Sequence, residues 1–222
     1  LFAVGLAPTG TKDPFAQRRA ALAICQNLIQ WQLHFDLYWG LQEAGRGLSL
    51  DVANEEVTTC LAFIVGRLRV MLLEMGFNYD VVDAVIAEQG SDPYGAYEGV
   101  QALSTWVARP DWHEILPAYS RCVRITRDQD EIFVVEEAGF VTEIERALYE
   151  AILQAEAQAM KGDDVDAFLG GFLPMIPVIN RFFDEVLVMD EDLALRQNRL
   201  GLLQRIARLS EGIADLSYLE GF

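Results

Sequence analysis

Basic residues, cysteine, histidine and long apolar runs are all scarce in this sequence, and each scarcity excludes something. Seventeen Lys and Arg face 34 Asp and Glu over 222 residues, a formal net charge of −17. Such a field repels nucleic acid at long range, so any RNA contact must come from a local basic patch. The three cysteines, Cys25, Cys60 and Cys122, are odd in number and form no CxxC pair. An all-paired disulfide framework is excluded. Each sits in an apolar, helix-like context where a free Cys behaves as a small hydrophobe, which fits a reducing cytoplasm. The two histidines, His34 and His113, are far apart and neither has an ExxH or HxxxH neighbour, so no metal site is expected. His34, in "WQLHFDLYW", reads as a core or boundary residue rather than a base. No apolar run is read as long enough to span a membrane, because Arg67 and Arg69, or Arg181 and Asp184, break the longest ones. No signal peptide opens the chain. The apolar start "LFAVGLAP", without Met, reads as a cut through a longer protein.

What is present is helix. The 52% hydrophobic content supports a real core. In "TKDPFAQRRAALAICQNLIQWQL", Asp13 is an N-cap and Pro14 takes the first helical position. "NEEVTTCLAFIVGRLRVMLLEMG" starts at an Asn54 cap and ends at Gly76. Shorter helices follow in "YDVVDAVIAEQG", "DPYGAYEGVQALSTWVAR" and "PDWHEILPAYSRCVRITRD". The stretch "DQDEIFVVEEAGF" is acidic and aperiodic, and reads as an exposed linker open to proteases between Arg127 and Gly139. Beyond it lie a long helix stopped by Gly162, a short one in "DDVDAFLGGFL", and a restart after Pro174 and Pro177. A last helix is expected from about Glu191 to Leu216. There is no convincing strand, repeat or low-complexity tract. The fold class is all-α, in antiparallel bundles.

No catalytic constellation emerges. "DDVDAF", Asp163 to Phe168, resembles the Mg²⁺-binding DDxxD of isoprenoid enzymes, but Ala167 stands where the last Asp belongs. Capping and the helix dipole account for these carboxylates. No phosphate loop follows a strand. The acidity is uneven: residues 1–127 hold 10 Lys and Arg against 14 Asp and Glu, residues 128–222 only 7 against 20. Within that acidic half, "DEDLALRQNRLGLLQRIARL" nevertheless carries four arginines. At about 100° per residue, Leu195, Leu202, Ile206, Leu209, Ile213 and Leu216 share one apolar sector. Asn198 and Arg199 flank it, so both are read as structural, with Arg199 pairing Asp184 or Glu185. Arg196, Arg205 and Arg208 point away, free to meet solvent or an anion.

Three stretches resemble one family. "PTGTKDPFAQRRAALAI", Pro8 to Ile24, is similar to the PTGSKDPFALRRAALGI signature of the bacterial glycyl-tRNA synthetase beta subunit. "RLRVMLLEMGFNYDVVDAVIA", Arg67 to Ala87, resembles its RLRxLLLExGxxYDVIDAVLA. "FFDEVLVMDEDLALRQNRLGLL", Phe182 to Leu203, resembles its FFDxVxVMxxDxxLRxNRLxLL. The segment "RCVRITRDQDEIFVV" is only loosely family-like, with Arg121 and Arg124 retained. The resemblance implies a C-terminal fragment: residues 1–50 ending an HD-type helical domain, 51–130 a helical linker domain, and 131–222 an anticodon-binding bundle of the DALR type. That motif reads Asp192-Leu193-Ala194-Leu195-Arg196 here. The implied partners are tRNA(Gly), the rest of the beta subunit and the alpha subunit, which holds the active site and uses ATP. No catalytic residue, cofactor or metal is implied for this fragment. On the tRNA reading, Arg196, Arg205 and Arg208, which point away from the apolar sector, are the candidate tRNA contacts, with Arg146 and Arg181 next. The alternative is a helical protein-interaction module with an acidic surface.

Overall fold

The computed structural model describes residues 1–8, 13, 15–159, 162 and 164–222, and among them there are ten α-helices, short 3-10 turns and no strand. The all-α expectation holds. The chain forms two compact units, Leu1–Ser104 and Thr105–Phe222. The division falls inside one helix, at neither of the boundaries expected near residues 50 and 130.

In the first unit α1 (Gln17–Gln30), α2 (Leu37–Arg46) and α4 (Tyr79–Gln89) pack on the central α3 (Asn54–Glu74), and α5 (Pro93–Val107) follows. Leu68 and Leu72 of α3, Cys25 of α1 and Val81, Val82 and Val85 of α4 are buried. Helix α1 begins three residues after Pro14, which lies outside the described residues. Ala16 adopts a left-handed φ of 58°, which interrupts any helix there. Asp13 still serves the new start, accepting the Arg18 N–H at 3.1 Å. The α3 cap position falls on Ala53, not Asn54, so Asn54 is the first helical residue. At the other end Gly76 takes φ +95° and donates its N–H to Leu73, as a residue just past a helix end should.

The second unit holds α6 (Trp112–Thr126), α7 (Glu143–Ala159), α8 (Val165–Phe172), α9 (Ile176–Glu185) and α10 (Leu193–Ala207). Helix α7 packs on α8 and α9, and α10 packs on α6 and α7. The predicted break at Pro174 is a single 3-10 turn, Leu173–Met175, so α8 and α9 nearly join. Residues Val165–Glu185 are consequently long and apolar enough to cross a membrane by length and composition, which corrects the reading that no such run exists. Phe168, Leu169, Phe172, Met175, Ile179 and Phe182 of this run are buried in the core of the unit, and that burial accounts for its composition.

Helix α10 is shorter than expected. It ends at Ala207, and the chain turns through a 3-10 segment to Gly212, whose φ is +75°. Nor is α10 one-sided: every residue from Asn198 to Gln204, together with Ile206, is buried. The cause is the stretch read as a linker. Residues 131–136, which belong to no helix or strand, are bound to α10 by two of its amide side chains. Gln204 accepts the Phe133 N–H (2.9 Å) and donates to the Glu131 carbonyl (2.7 Å). Asn198 accepts the Glu136 N–H (2.7 Å) and donates to the Glu136 carbonyl (3.0 Å). Gly201 allows the approach, since a Cβ there would lie 2.9 Å from the Phe133 oxygen. The backbone of this acidic stretch is therefore fastened, not free, although Ile132 and Val134 point to solvent.

Candidate functional site

The arginine-bearing helix α10 is held by an ionic cluster at its N-terminal half. Asp192 caps the helix, accepting the Ala194 and Leu195 N–H groups. Arg199, almost fully buried, donates through Nε to Glu145 (2.6 Å) and through Nη1 to Asp190 (2.7 Å) and the Leu187 carbonyl (3.0 Å). Asn198 and Arg199, read from the sequence as structural, are both engaged: Asn198 with the Glu136 backbone, Arg199 with Glu145 and Asp190. The expected partners Asp184 and Glu185 are replaced by Glu145 and Asp190.

Glu145 has a second task. Its other oxygen accepts the N–H groups of Val141 and Thr142 at 2.8 Å, while Thr142 accepts the Glu145 N–H at 3.3 Å. This is a capping box at the start of α7. The T-x-x-E pattern of Thr142 and Glu145 is visible in the sequence and could have identified that start; its link to Arg199 could not be seen there. Burial pushes the Glu145 carboxyl up, but the Arg199 guanidinium and the Thr142 and Val141 N–H donors outweigh it and hold it below the usual range. Burial likewise works against the Arg199 charge, and Glu145 and Asp190 more than restore it.

The three arginines expected to be free divide. Arg205 is not free: it forms a two-pronged pair with Glu156 (2.8 and 2.5 Å) and lies over the Tyr149 ring. The helical angle placed it correctly off the apolar sector, but α7 covers that side as well. Arg208 makes a looser pair with Glu211 at 3.4 Å. Arg196 is half-buried and has no hydrogen bond or ion pair among the described residues. Of the other two candidates, Arg181 pairs with Glu185 one turn on, and Arg146 is exposed over the Phe140 ring with no carboxylate partner described. The structure thus leaves Arg196 and Arg146 as open cations and takes Arg205 out of that group.

No group of three or more His, Cys, Asp or Glu among the described residues could hold a metal ion. Asp163 lies outside the described residues; Asp164 caps α8 and Asp166 accepts the Trp106 indole N–H at 2.7 Å. Burial pushes the Cys25 thiol up to about 11 and the Cys122 thiol up to about 12. His34, expected in a core or boundary setting, is exposed. Its Nδ1 lies 2.7 Å from Asp92 and its Nε2 3.4 Å from Glu98, with no serine or cysteine among its described partners.

Comparison with known proteins gives a consistent result. Residues 1–87 match the family model described as glycyl-tRNA synthetase beta subunit. A glycine–tRNA ligase beta subunit of Desulforudis audaxviator is 37% identical over 97% of this chain and 32% of its own length. The Myxococcus xanthus beta subunit is 34% identical over 99% of this chain and 33% of its own. The chloroplastic/mitochondrial glycine–tRNA ligase 2 of Arabidopsis thaliana is 32% identical over the whole chain and 21% of its own length. The class these relatives define is that of aminoacyl-tRNA synthetase subunits. Within it, nearly the whole chain is similar to glycyl-tRNA synthetase beta subunits, the family whose model matches residues 1–87. It spans about a third of the length of the bacterial relatives it matches.

Proposed function

We infer that this chain is a tRNA-binding portion of a glycine–tRNA ligase beta subunit, with the unit Thr105–Phe222 serving as a DALR-type domain that recognises the anticodon arm of tRNA(Gly). The observation that carries this reading is the relationship to beta subunits along nearly the whole chain. The motif Asp192 to Arg196 supports it, with Asp192 capping α10 and Arg196 left open on its first turn. Arg196 and Arg146 are the favoured contacts, Arg208 the next, because its carboxylate is loosely held. Arg181 and Arg205 would first have to leave Glu185 and Glu156. Glycyl transfer, with its ATP, would belong to the alpha subunit, which with the rest of the beta subunit would be the protein partner in the cytoplasm.

A second reading, an acidic helical interaction module, is favoured by one observation. Arg109, Arg181, Arg199, Arg205 and Arg208 all lie within 4 Å of carboxylates, which leaves few cations for an anion. Titration against an anticodon stem-loop of tRNA(Gly), a mismatched loop and a basic protein separates the two. Preference for the matched loop, with a salt slope about 0.7 smaller in Arg196→Ala for each phosphate that variant no longer neutralises, supports the first. Binding only to the basic protein overturns it.

A further inference from the structure

The arginines of α6 stand apart from those of α10. Arg121 and Arg124 are exposed, and neither has an ion pair among the described residues. They lie three residues apart, so their side chains share one face of the helix. Each guanidinium is seated on an aromatic ring: Arg121 lies 4.3 Å from the Phe183 centroid of α9, and Arg124 lies 5.7 Å from that of Phe222. A cation in the last turn, as Arg124 is, finds a favourable helix dipole. That does not account for Arg121, further from the end and resting on another helix.

The chemistry of such a pair is specific. A guanidinium seated on a ring is oriented before any ligand arrives. Its second face can stack on a base and its N–H edge can pair a phosphate in a fork. In a chain of net charge −17, two adjacent cations without carboxylates make a local positive spot, which RNA contact requires. We propose that Arg121 and Arg124, backed by Phe183 and Phe222, form an RNA-contact site on α6 separate from the α10 arginines, gripping backbone phosphate and stacking on an unpaired base. The proposal rests on the tRNA reading above. It favours RNA over an acidic protein because the open face of a ring-backed guanidinium can stack on a base, a contact that a carboxylate does not make.

The test is a titration of the chain with a tRNA(Gly) transcript across a salt series. Arg121→Gln and Arg124→Gln are each expected to weaken binding about tenfold, as removing a charge-assisted hydrogen bond does. The slope of log K against log salt should fall by about 0.7 for each single-strand phosphate left without its cation. Arg121→Lys should keep the slope and lose part of the preference for unpaired loop over duplex. Arg109→Gln, which removes a cation already paired with Asp111, should leave both unchanged. If the double variant binds like the parent while the parent binds tRNA, this site is overturned and the tRNA reading stands. If the parent binds no tRNA, the tRNA reading fails and takes the site with it. Polyglutamate competing as well as tRNA would assign the pair to an acidic protein instead. Should the Gln variants unfold, crosslinking of the unmodified chain to thiouridine-substituted tRNA decides directly; crosslinks that avoid residues 117–128 overturn the site.

Discussion

Replacing Arg199 with Met tests the structural account of α10 most directly. The side chain is 7% exposed, its partner Glu145 only 2%, and it is the shared donor to Glu145, Asp190 and the Leu187 carbonyl. Met retains the hydrophobic stem but leaves Glu145 charged, buried and short of its cation. Removing one member of a buried pair costs about 3–5 kcal/mol, much of it from the charge left behind. The lower end applies here, because Glu145 keeps its capping-box donors and Asp190 can turn to water. About 3 kcal/mol in a unit of this size lowers the melting temperature by roughly 10–20 °C. Arg205→Met is the comparison: it also breaks a two-pronged pair, but with both partners part-exposed, so about 1 kcal/mol is expected. The pair Arg199→Met and Glu145→Gln should be strongly non-additive, since Gln removes the stranded charge. Thermal melts followed by far-UV circular dichroism would measure the four variants, Arg199→Met, Arg205→Met, Glu145→Gln and the double variant, beside the parent. Arg199→Met melting within 2 °C or so of the parent, or no lower than Arg205→Met, would refute the assignment of Arg199 as the ionic centre of the unit.

Other outcomes follow from the same geometry. Glu145 has a native pKa held below its unfolded value of about 4.3, so its contribution is fully present above that pH and is lost as pH falls through the lower native value. The parent should lose stability over that acid window more steeply than Glu145→Gln, and melts at pH 3 to 7 check this. Asn198→Ala and Gln204→Ala each orphan backbone groups of residues 131–136, costing about 2 kcal/mol; limited proteolysis should then cut that stretch, which the parent should resist. Gly201→Ala should destabilise despite alanine's helix propensity, because the added methyl meets the Phe133 carbonyl and Val135; an equal or higher melting temperature would show that residues 131–136 can shift away.

Periodicity alone determined the all-α class and the approximate place of most helices, because amphipathic spacing and turn residues such as Gly76 act locally. The same local logic located Asn198 and Arg199 beside the core. What it could not reach was anything set by a distant segment. The partners of Arg199 are Glu145, 54 residues away, and Asp190 across a turn; the sequence offered Asp184 and Glu185 only because they are near. Residues 131–136 lack a helical period and so read as linker, yet their backbone is satisfied by Asn198 and Gln204, 62 and 71 residues away. A helical wheel places Arg205 off the apolar sector but cannot know that α7 supplies Glu156 there. Nor could it show which arginines keep their charge available, since that depends on whether a carboxylate from another helix comes within reach. An isolated helix has one buried face; α10 has several because elements far apart in the chain close around it.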